Sequence, residues 1–525
     1  MTTRGSSVKP LEINVGLIGV GVVGSAVLDF FAKGPLEVPI PGARFGEPSV
    51  AKVRLWSASR RTRRNPNAAS EEAIAKVVSK DKSGKPRFYA DDDAHGVPGW
   101  RSIVRDPNVD IVVEVTGSPV AEAMIEESLW LGKSVVTANK KVLSRTGYEL
   151  VKLAQSRGAI LACEAAVGGG MPVVQVMGAA IGGRITGILA IINGTTNFIL
   201  SKMRDAALSG NGVDQAYPNA VVEAQKAGLA EADPAADVFG EDAQSKIIIL
   251  AGLAFGVRVK PKDVYVRGIA RQGSAPGSSL GSRAIFDAPD LHFLEHLGYA
   301  PKLLAGAQMT NGSVVAWVQP AAVPKSHPLA RIEGSGNAAL LRTESPVSSN
   351  GTASAKAYDI FLSGPGAGGP ETASSVIADI LFCARQIAVA GKRDPSKEQS
   401  PLYSYTTSAF GRTQPYGNGP SLTRGDHLKA PYLLRFVNNK ANPTFANTIA
   451  AHLGENGVRV KTGQGFERAP KYLYLTTESC SLGRVESALQ AVIREAEPGA
   501  LSPDILYLPI LNGACFEETP AKAKA

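Results

Sequence analysis

The feature that most constrains the fold is an apolar run near the N-terminus that leads into three closely spaced glycines. Residues 13–18 read Ile-Asn-Val-Gly-Leu-Ile, the glycines are Gly19, Gly21 and Gly24, and residues 26–31 have the composition of a helix. A strand, a glycine-rich turn and a helix in this order begin a dinucleotide-binding sheet. The glycines permit a tight turn close to a pyrophosphate, and the helix N-terminus offers N–H groups to it.

Strand and helix patterns continue to alternate after this turn. Further strands are predicted at 53–58, 111–115 and 134–137, with a helix at 121–131. Such alternation predicts a Rossmann-type, doubly wound parallel sheet, in which ligands bind at the carboxyl ends of the strands. Two of these ends carry Thr116-Gly117 and Asn139-Lys140.

The end of the second strand indicates which nicotinamide cofactor would bind. A dinucleotide fold usually offers an acid to the adenine ribose at this place, whereas this sequence has Ser59, Arg60 and Arg61. An acid would repel a 2′-phosphate, and arginines would bind it, so we expect NADP, with NAD as the alternative. Because Arg63 and Arg64 follow, an exposed arginine-rich loop is the competing interpretation.

Composition limits the class of protein. The length of 525 residues predicts two to four domains. No unbroken apolar run approaches the roughly 18 residues of a membrane span. The four cysteines are scattered, without disulfide or zinc-site spacing, and the short polar N-terminus leaves no room for a signal peptide. We therefore expect a cytoplasmic protein with no membrane partner. Part of the net charge of +9 lies in the arginine cluster. A nucleic-acid role would rest on that cluster alone, so we expect no nucleic-acid partner.

The pattern changes after about Ile160. Glycine-rich, strand-like runs at 163–172 and 188–192 are followed by Asn-Gly-Thr-Thr-Asn at 193–197, and the glycine-rich segment 364–374 opens a helix that reaches about residue 387. These runs predict a second, mixed α/β domain that supplies a substrate loop. After a Ser/Pro/Gly-rich link, a βαββαβ order predicts a ferredoxin-like module, so the fold class is α/β and α+β. The predicted segments are a Rossmann domain at 1–160 completed by 371–395, a substrate-binding domain at 161–370, a linker at 396–430, the small module at 431–515 and a disordered tail at 516–525.

A cluster of acids and a lysine lies between residues 231 and 246. Asp242 and Lys246 are four residues apart, so they share a face if the apolar run 247–255 continues their helix. Taken alone, the pair is also what an exposed ion pair looks like. Glu231 and Asp237 lie just upstream, at the edge of an apolar element. Carboxylates gathered there suit the ammonium of an amino acid, and the lysine suits proton transfer.

Taken together, several motifs resemble homoserine dehydrogenase in order and spacing. They are residues 19–24, 138–140, 193–197, 231–234 and 242–246. The resemblance covers about residues 13–390 and implies NAD(P)-linked interconversion of L-aspartate 4-semialdehyde and L-homoserine, in threonine, methionine and isoleucine biosynthesis. No aspartate-kinase domain precedes these motifs, which implies the single-function form. It also implies a homodimer or a higher homo-oligomer, with dimerisation through the sheet of the second domain.

The resemblance assigns roles to individual residues. Lys246 matches the proton donor to the aldehyde oxygen, and Lys140 matches a second lysine near that oxygen. The implied substrate-binding residues are Glu231, Asp242, Asp237, Gly194 and Thr195. The expected cofactor contacts include Arg60 and Arg61 at the end of the second strand. The full set is Gly19, Gly21, Val22, Val23, Gly24, Arg60, Arg61, Thr116, Gly117, Lys140 and Gly366. A monovalent cation such as sodium is implied at the loop of Glu164, Val167, Gly169 and Met171, although these glycines also suit a simple tight turn.

The closing module resembles an ACT domain but departs from its pattern. The usual Asp-x-Pro-Gly turn after the first strand is replaced here by Ala441-Asn442-Pro443-Thr444. The missing acid and glycine weaken a pocket for an amino-acid ammonium, so we do not expect feedback by threonine.

Other interpretations of the chain stay open at this stage. A related amino-acid dehydrogenase would reuse the same scaffold, and a non-catalytic amino-acid sensor would bind the same ligands without chemistry. The string from His292 through Glu295 to His296 fits an H-x-x-E-H zinc motif. No third ligand is evident nearby, so we interpret these histidines, and the loop residue His327, as structural.

Overall fold

The computed structural model describes most of the chain. The described residues are 10–41, 49–61, 69–90, 98–179, 184–210, 215–271, 282–345, 356–391, 421–439, 444–466, 469–496, 501–502 and 504–511. They form two compact units. The first takes the described residues of Met1–Ile181, Gly252–Arg258 and Ala367–Tyr416, and the second those of Gly182–Ala251, Val259–Gly366 and Gly417–Ala525. Arg63, Arg64, residues 441–443 of the ACT-like turn, most of the predicted linker and the tail lie outside the described residues.

A largely parallel sheet organises the first unit. Its strands are β1 (Leu11–Ile18), β2 (Leu36–Pro39), β3 (Val50–Arg60), β4 (Phe88–Ala90), β5 (Ile111–Glu114), β6 (Ser134–Thr137) and β7 (Leu161–Ala162). Their order is β2-β3-β1-β5-β6-β7, with β4 beside the end of β3, and only β2 runs antiparallel. The strand order reverses between β1 and β5, which is where such a sheet binds its ligand.

Helices flank this sheet. They are α1 (Val22–Phe31), α2 (Glu71–Val77), α3 (Gly99–Val104), α4 (Ala121–Trp130), α5 (Lys140–Ser156), α6 (Val173–Ala179) and a long helix from later in the chain, Gly369–Ala390. The central strands are apolar and buried on both faces, as parallel strands covered by helices must be. The predicted doubly wound sheet is therefore confirmed.

The long helix Gly369–Ala390 begins just after the predicted glycine-rich segment. Its mean hydropathy of 1.5 over 18 residues and its length would allow it to cross a membrane, and it is the one such helix among the described residues. However, 56% of that window is buried inside the protein, where the helix packs against α1 and the sheet. This is the position of a core helix.

The segment 163–172 differs from its predicted strand-like form. Strand β7 ends at Ala162, and Glu164–Ala166 form a 3₁₀ turn that leads to α6. Gly169 has a φ of +65°, and a Cβ on Gly168 would lie 2.3 Å from the carbonyl oxygen of Met171. The glycines thus serve a tight turn, which a strand does not allow. The segment belongs to the first unit.

The second unit is built on a mixed sheet. The first strands of this unit are β8 (Arg184–Ile191), β9 (Val264–Val266), β10 (Ala270–Arg271), β11 (Arg283–Ala284), β12 (Tyr299–Thr310), β13 (Ser313–Pro324), β14 (Gly336–Ser345) and β15 (Lys356–Pro365). Strands β10 and β11 form a separate two-stranded sheet. Its helices are α7 (Gly194–Ser209), α8 (Ala216–Lys226), α9 (Ala235–Val238), α10 (Glu241–Phe255) and α11 (Ala288–His296). The last turn of α10, residues 252–255, is counted with the first unit. The long helix Gly369–Ala390 is therefore α12 in chain order. The sheet order is β15-β14-β8-β12-β13-β16, where β16 is Ser421–Thr423, and β15 forms one edge.

The C-terminal module has the predicted βαββαβ order. Its elements are β17 (Lys429–Ala430), β18 (Tyr432–Val437), α13 (Phe445–Glu455), β19 (Val460–Phe466), β20 (Ala469–Thr477), β21 (Cys480–Ser481), α14 (Leu482–Glu495) and β22 (Leu506–Pro509). The antiparallel order β19-β20-β18-β22 is the ferredoxin-like arrangement. Strands β16 and β17 lie in the segment that the sequence assigned to the linker. Strand β16 pairs with β13, so this part of the chain continues the mixed sheet.

A buried ion pair joins this module to α11. Arg435 on β18 donates from Nε and Nη2 to the two carboxylate oxygens of Asp290, at 3.1 and 3.0 Å, and both side chains are about 1% exposed. Tyr474 donates to the same carboxylate at 2.9 Å. Burial raises the pKa of Asp290, and Arg435 opposes that rise. Helix α11 also carries the H-x-x-E-H string, whose Glu295 contacts Lys325; among the described residues no three-ligand group forms there.

Candidate active site

The glycine turn of the first unit has the geometry that a diphosphate requires. Gly19 has a φ of +101°, and a Cβ there would lie 2.7 Å from a methyl of Thr116. A Cβ on Gly24 would lie 2.0 Å from the carbonyl oxygen of Gly19, so α1 packs against the turn only because residue 24 is glycine. At Gly21, by contrast, a Cβ would meet nothing within 4 Å. The turn thus offers an open approach to the N-terminus of α1, which begins with Val22 and Val23.

Two neighbouring strand ends carry further predicted site residues of this unit. Thr116 and Gly117 follow β5, and Lys140 is the first residue of α5, directly after β6. Asn139 caps α5, because its Oδ1 accepts the N–H of Val142 at 3.2 Å. The cap fixes the backbone from which Lys140 projects.

Glu114, the last residue of β5, connects these strand ends and is fully buried. Its Oε1 accepts the N–H and the hydroxyl of Thr116 at 2.8 and 2.6 Å, and its Oε2 accepts the hydroxyl of Thr137 at 2.7 Å. Burial raises the pKa of Glu114, and these hydrogen bonds oppose the rise. No role for Glu114 was predicted from the sequence, although an acid that ends the apolar run Ile-Val-Val is a visible signal.

The two candidate arginines differ in environment. Arg60 is the last residue of β3 and is only 8% exposed; it donates to the carbonyl of Ala69 at 3.0 Å and lies 3.6 Å from the carboxylate of Glu71. Its guanidinium also lies over the ring of Phe88, 5.3 Å from the centroid. Arg61 is exposed. The strand extends two residues beyond its predicted end, and this places Arg60 in the packed part of the unit.

The second unit brings together residues that the sequence left far apart. Asp242 and Lys246 lie on α10, with Oδ2 and Nζ 2.8 Å apart; 8% and 12% of their side chains are exposed. Nζ of Lys246 also donates to the carbonyl of Ile192 at 2.8 Å. The Asn193 amide nitrogen donates to Asp237 at 2.7 Å and to Asp242 at 2.8 Å.

Asn193 is thus the centre of this cluster, although the sequence analysis did not assign it a role. It is 4% exposed, and its Oδ1 accepts the N–H of Thr196 at 2.8 Å, which caps α7. The amide therefore holds two carboxylates and a helix start in one arrangement. Its place in the motif at 193–197 was a signal, but an asparagine before Gly194 is also typical of a simple helix cap.

The other predicted substrate residues lie close to this cluster in the sequence. A Cβ on Gly194 would lie 2.6 Å from the carbonyl oxygen of Ser335, so only glycine fits there. Thr195 donates its hydroxyl to the carbonyl of Leu229 at 2.6 Å, which ties α7 to the acidic loop. Glu231 is exposed in that loop, and its carbonyl accepts from the amide of Gln225. Gly366, which was predicted as a cofactor contact, follows β15, and a Cβ there would meet the Asn337 amide at 2.4 Å.

The predicted cation loop holds a buried acid with helix-capping contacts. The Glu164 carboxylate accepts the N–H groups of Val174 and Gln175 at 2.9 and 2.7 Å. Burial and the neighbouring Asp379 raise its pKa to about 8. The carbonyl of Gly169 accepts the hydroxyl of Ser375. These contacts explain the loop as a helix start, and a cation at Glu164, Val167, Gly169 and Met171 stays a prediction.

A glycine turn fitted to a diphosphate and a lysine paired with carboxylates are the parts of a nicotinamide-dependent dehydrogenase. Residues 19–164 match the family profile described as "Homoserine dehydrogenase, NAD binding domain", and residues 172–381 match the one described as "Homoserine dehydrogenase". The chain belongs to the homoserine dehydrogenase family, whose members interconvert L-aspartate 4-semialdehyde and L-homoserine in amino-acid biosynthesis.

Individual relatives agree with this assignment. A homoserine dehydrogenase of Synechocystis is 32% identical over 411 residues, which span 77% of this chain and 80% of the relative. The crystal structure of one from Thiobacillus denitrificans shares 25% identity and a TM-score of 0.72, over 95% of this chain and 98% of that one. A hyperthermophilic archaeal homoserine dehydrogenase in complex with NADPH shares 25% identity and a TM-score of 0.50, over 71% and 98% of the two chains.

The position of Asn193 generates a prediction. Asn193→Asp keeps the shape of the side chain but replaces two N–H donors with a third carboxylate beside Asp237 and Asp242. Because the hydrogen bonds lost are to charged groups, we expect kcat/KM for homoserine to fall about 100-fold, with the cofactor KM unchanged. Steady-state oxidation of homoserine measures both. The control is Asn456→Asp, an exposed amide on the C-terminal module, and full activity of a folded Asn193→Asp would contradict the role of the amide.

Proposed function

We propose that this protein reduces L-aspartate 4-semialdehyde to L-homoserine with NADPH as the preferred donor, and that Lys246 delivers the proton. The observation that carries the proposal is the Asn193, Asp242 and Lys246 cluster. Two of the three N–H bonds of the Lys246 ammonium point to protein oxygens, those of Asp242 and Ile192. We assign the third to the aldehyde oxygen of the substrate.

Three acids in and beside this cluster suit the amino-acid end of the substrate. Glu231 is exposed in the acidic loop, and Asp237 and Asp242 are held together by Asn193. We assign these carboxylates to the substrate ammonium, because charge-assisted hydrogen bonds to several carboxylates bind an ammonium strongly. Gly194 and Thr195 form the start of α7 beside them and would contact the substrate backbone.

The chemistry of the step follows from charge. The nicotinamide cofactor supplies the hydride when bound. Negative charge then develops on the aldehyde oxygen, and a lysine ammonium stabilises that charge and gives it a proton. We assign Lys246 to this transfer and Lys140, at the start of α5, to a second positive charge for the same oxygen. Gly19 to Gly24, Thr116, Gly117 and Gly366 would hold the cofactor.

The role of Lys246 is open to a direct test. Lys246→Met removes the ammonium but keeps an unbranched apolar chain, so we expect kcat to fall by 10²- to 10⁴-fold, the usual worth of a positioned proton donor. The loss of NADPH absorbance with aspartate 4-semialdehyde measures it. Lys226→Met, at the exposed end of α8, is the matched control. A Lys246→Met enzyme with wild-type kcat would refute the assignment.

Cofactor preference rests on the end of β3. Arg60 is already engaged with Ala69 and Glu71, so we assign it mainly to shaping the turn and the exposed Arg61 to the 2′-phosphate. The absence of an acid at Ser59 removes the group that would select a free ribose hydroxyl.

Arg61→Ser should lower kcat/KM for NADPH about 10- to 100-fold, because one charged hydrogen-bonding partner of the 2′-phosphate is lost. The value for NADH, which has no such phosphate, should change less than twofold. Initial rates with both cofactors decide the matter, and Arg105→Ser, an exposed arginine elsewhere in the unit, is the control. Equal losses with the two cofactors would contradict a phosphate contact.

We also propose a homodimer formed through β15. This strand is the edge of the mixed sheet, and its Tyr358 and Phe361 are 41% and 38% exposed. A long edge strand with exposed aromatic residues is a template for pairing. A second copy that pairs antiparallel along β15 would give a closed two-fold interface.

Replacing both aromatic residues, as Tyr358→Glu with Phe361→Glu, should convert the dimer to a monomer, since like charges would face each other across the two-fold axis. The molar mass measured by light scattering after gel filtration should then fall from about twice 54.8 kDa to 54.8 kDa. Leu208→Glu with Val222→Glu alters equally exposed apolar residues of α7 and α8 and should leave the dimer intact. A wild-type monomer would overturn the proposal.

A further inference from the structure

The carboxylate of Glu114 is the shared acceptor of the ends of β5 and β6. It takes two hydrogen bonds from Thr116 and one from Thr137. A second link runs directly between the strand ends, because the amide nitrogen of Asn139 donates to the carbonyl of Thr116 at 3.4 Å. The bonds form a closed ring through Glu114, Thr116, Asn139 and Thr137.

The ring has a defined direction of donation. The hydroxyl oxygen of Thr116 accepts the N–H of Ser118 at 3.2 Å, and that of Thr137 accepts the N–H of Asn139 at 3.0 Å. Each hydroxyl must then use its single hydrogen toward Glu114. With the N–H of Thr116, three donors converge on one side chain. An ionised carboxylate, which only accepts, satisfies all three.

Each branch of the ring leads to a different part of the site. Through the Thr116 hydroxyl, Glu114 orders the backbone at Gly117 and Ser118, on the cofactor side. Through the Thr137 hydroxyl, it orders the N–H of Asn139, the residue that caps α5 just before Lys140. One buried carboxylate therefore governs both the turn after β5 and the helix start after β6.

We propose that Glu114 is a positioning residue that sets the cofactor-binding turn at Thr116-Gly117 and the helix start at Lys140 in one fixed relation. The proposal rests on the roles assigned above to that turn and to Lys140. A site that must hold reacting groups within fractions of an ångström gains from one rigid acceptor behind two of its elements. If the buried acid served stability alone, its replacement would not change cofactor binding and turnover separately.

The test is Glu114→Gln, compared with Thr137→Val and the double variant. The glutamine amide presents a donor where one of the hydroxyl hydrogens now points, so the hydroxyl of Thr116 or Thr137 must turn its hydrogen away from residue 114 and accept there instead. The rotated hydroxyl then holds its backbone N–H in a different geometry. We expect Glu114→Gln to raise the Kd for NADPH, read from NADPH fluorescence, and to lower kcat, each about 10- to 100-fold. Thr137→Val should lower kcat by a similar factor and leave the NADPH Kd unchanged. The double variant should have the kcat of Glu114→Gln, because both substitutions break the same branch, the bond between Glu114 and Thr137, and the second adds no further loss.

Two controls separate positioning from stability. Asp106→Asn alters a carboxylate with three similar donors, from Trp56 and Asn108, that lies before β5 rather than at its end. It should lower the Tm while kcat and Kd stay within twofold. Thr137→Ser keeps the hydroxyl and should restore the kcat lost in Thr137→Val.

The proposal is overturned if Glu114→Gln and Thr137→Val behave like Asp106→Asn, with a lower Tm and unchanged kcat and Kd. If Glu114→Gln does not fold, Thr137→Val against Thr137→Ser decides alone: equal kcat values overturn the proposal. Failure of the proposed function looks different. In that case the wild-type protein does not turn over aspartate 4-semialdehyde, or Lys140→Met retains full kcat, whereas the NADPH Kd of Glu114→Gln still reports on the turn after β5.

Discussion

The structure depends on how it satisfies charges that its fold removes from water. An isolated buried carboxylate or ammonium is strongly unfavourable, so each must find partners. Asp242 meets Lys246 and Asn193, Asp290 meets Arg435, and Glu114 meets two threonines. In each case at least one partner comes from a distant chain segment. The charges thus select the register in which strands and helices pack, because a displaced partner would leave an unpaired charge in the interior.

Lys302 shows the same requirement away from the chemistry. It is 2% exposed, burial lowers its pKa to about 8, and it donates to Asn197 and to the carbonyl of Ile332. Asn197 in turn donates to three carbonyls of the segment 332–336. That segment closes over Gly194 at a distance that admits no side chain. A buried lysine behind the substrate loop therefore fixes the position of a residue proposed to contact the substrate.

Local patterns in the sequence predicted the local parts of the site. The glycine turn and the pair on α10 each depend on residues within a few positions of each other, and the sheet follows from the alternation of such local strand and helix patterns. Asn193 contacts carboxylates 44 and 49 residues away, and no periodicity links them. Glu114 reaches Thr137 across a strand pairing that exists only in the sheet. The burial of Arg60 was equally inaccessible, because it depends on the two extra residues of β3.

The acids of the second unit divide into two kinds, and the division has a chemical reason. Asp242 is bound to Lys246 and Asn193, which fixes its carboxylate in position. Glu231 is exposed in its loop and pays little desolvation before it meets a cation. A fixed acid gives orientation, and an exposed one gives an accessible charge for the first encounter. The proposed substrate would use both, since in the proposed arrangement its ammonium is captured first and its carbonyl then lies against one N–H bond of Lys246.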